Sequence, residues 1–141
     1  IIFSLAGISG ILAAPFWGKR GQQYGYVRTF CYITMGAGVV NLFQFFTTDV
    51  YQFAVVQFVY GLFLAGAIPN INANLADVTD QSIRGKAFGL VTSAQMAGGF
   101  VGPLLGGALG SFLPTRLVII STGVILVVMS VFTYINKVKA K

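Results

Sequence analysis

Apolar residues run along the chain in five long blocks, at positions 1–17, 29–48, 50–75, 87–113 and 117–135. The connections between them and the tail after the last carry all of the formal charge. Each block lies near or above the ~20 residues that an α-helix needs to cross a bilayer core. None shows the strict two-residue alternation of a membrane barrel strand. The pattern predicts an all-α, polytopic helical membrane protein with five transmembrane segments. The first block is the shortest and the chain opens on Ile1-Ile2-Phe3 without Met, so we expect a piece of a longer protein.

The fourth block has the most informative composition. Its centre reads Gly98-Gly99-Phe100-Val101-Gly102-Pro103-Leu104-Leu105-Gly106-Gly107-Ala108-Leu109-Gly110. In water such a helix is poor, because glycine costs about 1 kcal/mol against alanine and proline about 3. In lipid the backbone has no other partner, so helix persists. Gly98, Gly102, Gly106 and Gly110 recur every fourth residue and drift only about 40° per step. They predict a smooth face for close helix packing. Gly107 and Pro103 belong to the same packing and conformational element.

Composition agrees: the 141 residues are 56% hydrophobic and 9% charged, with no His and only three acidic residues. Soluble domains are about a quarter charged. The net charge of +6 does not indicate nucleic acid, because the basic residues are spread over connections and the tail. Lys19, Arg20, Arg28, Arg84, Lys86, Lys137, Lys139 and Lys141 fall on one side of the expected topology and Arg116 alone on the other. The positive-inside rule then predicts a multi-pass protein with a cytoplasmic carboxy terminus. Trp17, Tyr24, Tyr26, Tyr51 and Tyr134 sit near block ends, where interfacial aromatics belong.

Intramembrane ionisable groups mark function by default, and the block centres hold none. Asp49, Asp77 and Asp80 all fall in connections or at helix ends. Polar uncharged residues are more suggestive: Asn41 and Gln44, then Gln57, Tyr60, Asn70, Asn72 and Asn74, then Thr92, Ser93 and Gln95. Two readings stay open for them. They are either hydrogen-bonding links between helices, or Gln57, Tyr60 and Gln95 line a substrate cavity. Pro69 is expected to kink the third block, as prolines do. Gly7-Ile8-Ser9-Gly10 imitates an intramembrane serine protease motif, but the chain has no histidine to serve as base. Cys31 has no second thiol or imidazole to share a metal, so it reads as a packing residue. The chain is expected to be no enzyme and to need no metal or cofactor.

The connections are specific. Residues Pro15 to Arg28 resemble the signature loop of the major facilitator superfamily, roughly G-x-x-x-D-R-x-G-R-R. Gly18, Gly25 and Arg28 fit it, whereas Gln22 and Gln23 replace the Asp and Arg. Such a degenerate copy is typical of the carboxy-terminal half of these transporters. Gln57-Phe58-Val59-Tyr60-Gly61 is similar to the family's R-x-x-x-G element with glutamine for arginine. Gly102-Pro103-Leu104-Leu105-Gly106-Gly107 resembles the antiporter G-P-x-x-G-G element, and Arg84 to Gly89 the approach to the eleventh helix.

The resemblance spans nearly the whole chain, as helices eight to twelve of twelve, and is nearest to bacterial multidrug efflux proteins of the drug:proton antiporter group. It implies most of one six-helix half-bundle in the cell membrane. Its expected partners are the lipid bilayer, a missing amino-terminal half, small amphipathic substrates and protons. The loop residues Gly18, Lys19, Arg20, Gly25 and Arg28 either set topology or make contacts that hold one transport state. The rival reading is a non-transporting membrane scaffold or a truncated remnant, since five helices cannot enclose a path alone.

Overall fold

The computed structural model describes residues 2–139. Every element among them is helical: α1 (Ile2–Tyr24), α2 (Tyr26–Phe43), a 3-10 turn (Gln44–Phe46), α3 (Val50–Leu64), α4 (Ala67–Val78), α5 (Arg84–Phe112) and α6 (Thr115–Lys139). Four stretches are long and apolar enough to cross a membrane: Tyr26–Phe46, Val50–Val78, Arg84–Phe112 and Arg116–Asn136.

The expected signature loop is almost entirely helix. α1 continues through Lys19, Arg20 and Gln23, and α2 begins one residue after it ends. Gly25 makes the turn with φ of 91°, which is strained for any residue with a Cβ. Its N–H bonds to the Gly21 carbonyl and its own carbonyl receives the Thr29 N–H, so the backbone stays satisfied through the corner.

α2 and α6 run antiparallel in a seam that advances by one heptad at a time. Arg116 lies over the Phe45 ring at 5.9 Å. Gly38 faces Gly123, where a Cβ on Gly38 would stand 3.1 Å from the Gly123 carbonyl oxygen. The Ser130 hydroxyl donates to the Cys31 carbonyl at 2.7 Å. Small residues at the crossing let the two backbones approach, which is how helices associate in lipid. α6 is therefore a packed helix on this side, although its outer residues Ile125, Val128, Met129 and Phe132 are exposed.

α1 packs chiefly on α3, and α2 on both α3 and α4. Ile33, Ala37, Ala13 and Cys31 form the apolar centre of this bundle. α5 stands apart. Among the described residues it touches α4 and α6 alone, and none of its residues is buried.

Candidate functional site

The third apolar block does not form one helix. α3 ends at Leu64 and α4 restarts at Ala67, with Gly66 at the restart and Pro69 in the first turn of α4. Proline is tolerated there because a first-turn N–H has no helical partner to lose. The Gly66 N–H bonds to Phe63 at 3.2 Å, one residue short of the regular i−4 acceptor. That tightening leaves the Leu62 carbonyl without its helical donor.

Trp17 of α1 supplies the replacement. Its indole N–H donates to the Leu62 carbonyl at 2.7 Å, while its ring tilts against Phe63 at 5.7 Å between centroids. Asn70 secures the other side of the break. Its side-chain amide donates to Gly66 at 2.8 Å and to the Trp17 carbonyl at 3.4 Å. Asn70 is 2% exposed, and its Oδ1 has no hydrogen-bond partner among the described residues. That oxygen lies against Gly21, where any Cβ would collide with it. Gly66 is equally confined, since its Cβ would sit 2.5 Å from Trp17 and 2.6 Å from Ile33.

A second polar contact joins α3 to the end of α2. The Gln44 side-chain amide donates to the Gln57 side-chain oxygen at 2.8 Å, with both residues buried. Asn41 lies one turn before Gln44, buried, with its Oδ1 facing Gly123 and without a hydrogen-bond donor. The two polar groups, at Gln57 and at Asn70, are separated along the third block by roughly 20 Å of helix at 1.5 Å per residue. They tie α1, α2, α3 and α4 together at two depths.

Gln57 is thus an interhelical partner of Gln44, and Tyr60 is half-buried one turn further along α3. Gln95 is exposed on α5, which makes no contact with α3 among the described residues, so the three cavity candidates do not converge there. Pro69 is exposed and marks the restart of α4. Pro103 sits inside α5 without interrupting it. A Cβ on Gly98, Gly102, Gly106, Gly107 or Gly110 would meet nothing within 4 Å. Among the signature residues, Gly18, Lys19 and Arg20 are on α1, Arg28 on α2 and Gly25 at the corner.

Sequence reading did not single out the Trp17–Leu62 and Asn70–Gly66 bonds or the Gly38–Gly123 crossing. The only local signal was a small residue ahead of a proline, Gly66 before Pro69, beside a tryptophan on another helix. Arg84 escaped too. Its guanidinium donates to Ala76 at 2.8 Å and Thr79 at 3.3 Å, capping the carbonyl end of α4 from the start of α5.

These features define a multi-pass helical membrane bundle in which one span is broken and held by side chains of its neighbours. The family follows from comparison: the chain belongs to the Major Facilitator Superfamily, whose family model matches residues 1–141. It is 30% identical over 95% of its length to a "Multidrug resistance protein MdtG" of Yersinia enterocolitica, covering 32% of that protein. A protein of the same name from Serratia proteamaculans is 31% identical over 94% of the chain, with 32% of that protein covered. "Uncharacterized MFS-type transporter YuxJ" of Bacillus subtilis is 33% identical over 77% of the chain and 27% of its own length. The chain spans about a third of the length of the relatives it matches.

Proposed function

We propose that the chain is part of the carboxy-terminal bundle of a secondary transporter that exports small amphipathic compounds at the expense of the proton gradient. The observation that carries this reading is the broken span α3–α4: the Trp17 indole of α1 donates to its Leu62 carbonyl, Gln44 after α2 donates to its buried Gln57, and its buried Asn70 donates to Gly66 at the break. Exchange between two access states needs an element that can bend at a defined place. A break stabilised by replaceable side-chain bonds supplies one. The names of the MdtG relatives support drugs as the cargo.

In this reading Gln57 and Tyr60 on α3 and Gln95 on α5 contact substrate when the remaining helices close around them. The glycine face of α5 receives a helix supplied from outside these residues, which accounts for its bare surface here. The carboxylate that takes up the proton also lies outside them: Asp49 is exposed at the N-cap position of α3 without a side-chain cap bond, Asp77 is exposed near the end of α4 and Asp80 follows it. In the same reading Lys19, Arg20, Arg28, Arg84 and Lys86 mark the cytoplasmic face.

The test is ethidium accumulation in cells lacking their main efflux pumps, with the full-length protein expressed at measured membrane abundance. We expect reduced accumulation that a protonophore restores. Unchanged accumulation in the presence of abundant protein would favour the non-transporting scaffold instead. Efflux that survives the protonophore would remove proton coupling while keeping transport.

A further inference from the structure

The corner between α1 and α2 carries a feature that helix packing and transport leave unused. Phe16, Arg20 and Tyr24 form a stripe at four-residue spacing on the outer face of α1. The Arg20 guanidinium lies over the Phe16 ring at 5.1 Å and over the Tyr24 ring at 5.6 Å. Beside it opens a cavity of about 410 Å³ lined by Trp17, Arg20, Tyr24, Thr29 and Tyr32. The floor is fixed, because the Thr29 hydroxyl donates to the Arg20 carbonyl at 3.2 Å and the Trp17 indole is committed to Leu62. Tyr24 and Tyr32 are exposed, and neither phenol makes a hydrogen bond among the described residues. Neither α1 nor α2 contains an acidic residue, so Arg20 has no counter-charge on the helices that build the cavity.

We propose that this cavity binds the phosphate-bearing headgroup of an anionic phospholipid. The chemistry is complementary on three counts. A guanidinium held between two rings offers its remaining N–H donors in the fork that suits phosphate. Two tyrosine hydroxyls stand ready as further donors. The site lies at a helix corner lined by Trp17, Tyr24 and Tyr32, and tryptophan and tyrosine favour the depth of lipid headgroups. Below it, Tyr32, Met35 and Val39 expose a line of apolar surface along α2. A second cavity of about 290 Å³, lined by Cys31, Tyr32, Met35, Ser130, Val131 and Tyr134, shares Tyr32 with the first. Acyl chains fit that surface, and a free phosphate ion would leave it bare. Basic pockets between membrane helices on the positive side hold anionic headgroups in the same way.

The experiment is native mass spectrometry of the full-length protein titrated with dioleoylphosphatidylglycerol or dioleoylphosphatidylcholine. The expected result is about fivefold tighter binding of the anionic lipid, the preference one well-placed cation supplies near a membrane surface. Arg20→Ala should abolish that preference, whereas Lys86→Ala, an exposed cation at the start of α5, should keep it. Tyr32→Phe retains charge and bulk, should fold normally and should weaken the preference; it serves as the test if Arg20→Ala is not recovered. Equal binding of the two lipids, or a preference untouched by Arg20→Ala or Tyr32→Phe, would overturn the proposal. So would equal losses in Arg20→Ala and Lys86→Ala, which would mean diffuse attraction. Displacement of the anionic lipid by millimolar inorganic phosphate would assign the site to a free anion and remove the lipid.

Discussion

The indole N–H of Trp17 takes the place of a backbone donor for Leu62. At 2.7 Å it satisfies the carbonyl that the Gly66 amide abandons when it turns to Phe63. A neighbouring helix therefore stabilises the break in the helix it packs against. An unsatisfied carbonyl in a membrane interior is expensive, so the two features depend on each other.

Trp17→Phe keeps the ring against Phe63 and removes the donor. The expected loss is about 1–3 kcal/mol, the cost of leaving a buried acceptor unpaired. Thermal unfolding of the purified protein in detergent reads it as a lowered midpoint. A midpoint equal to that of the parent protein would mean the bond contributes nothing, or that water replaces the indole.

Gly21 and Asn70 should prove coupled. Gly21→Ala forces its methyl into the Asn70 Oδ1 and pushes the amide off Gly66. Asn70→Ala should remove that collision and leave the one with the Tyr26 ring, 2.8 Å from the added Cβ. The double variant is then expected to be less destabilised than the two single losses added together, with a coupling of about 0.5–3 kcal/mol. Additive losses would show that the collision is relieved elsewhere.

Gln44 and Gln57 form a closed pair, so removing one should hurt more than removing both. Gln44→Leu or Gln57→Leu strands the surviving amide in a buried site at about 1–3 kcal/mol. The Gln44→Leu/Gln57→Leu double variant is expected to recover part of that stability. Efflux measured on the same variants separates a structural link from a substrate contact. A stable double variant that no longer exports drugs would assign Gln57 to the cavity.

Glycines on different helices should respond differently to bulk. Gly123→Leu meets Leu42 and Asn41 across the crossing with α2 and is expected to lower stability by several kcal/mol. A Cβ on Gly106 meets nothing within 4 Å among the described residues, so Gly106→Leu should leave folding of these helices intact. Its expected effect is loss of efflux at normal abundance, because the face it blocks is kept for a helix from elsewhere in the protein. Full efflux in Gly106→Leu would end that role for the ladder.

Much of the bundle is legible in composition alone. A bilayer leaves the backbone no partner but itself, so uninterrupted apolar blocks dictate helices, and charge confined to the connections dictates where they stop. Hence α2, α5 and α6 lie close to where the pattern put them, with Asp49 and Asp77 at helix ends and Asp80 in a connection. The signature motif also identified the family, because its glycines and cations occupy fixed spacings that need no structure to read. The corner itself was misjudged as loop: Lys19 to Tyr24 have no apolar period, yet propagating an existing helix costs little once it has formed.

Tertiary structure decided the rest. Hydrophobicity along a chain says that a segment enters the membrane and nothing about which neighbour it meets there. Gly38 and Gly123 became the tight crossing while the longer glycine ladder of α5 stayed bare, although local sequence favours the ladder. Trp17 looked like an interfacial anchor and proved to be a hydrogen-bond donor to a broken span 45 positions away. Pairings of that kind depend on which carbonyl is released and which side chain stands within 3 Å of it. That is a property of packed helices, and no single segment contains it.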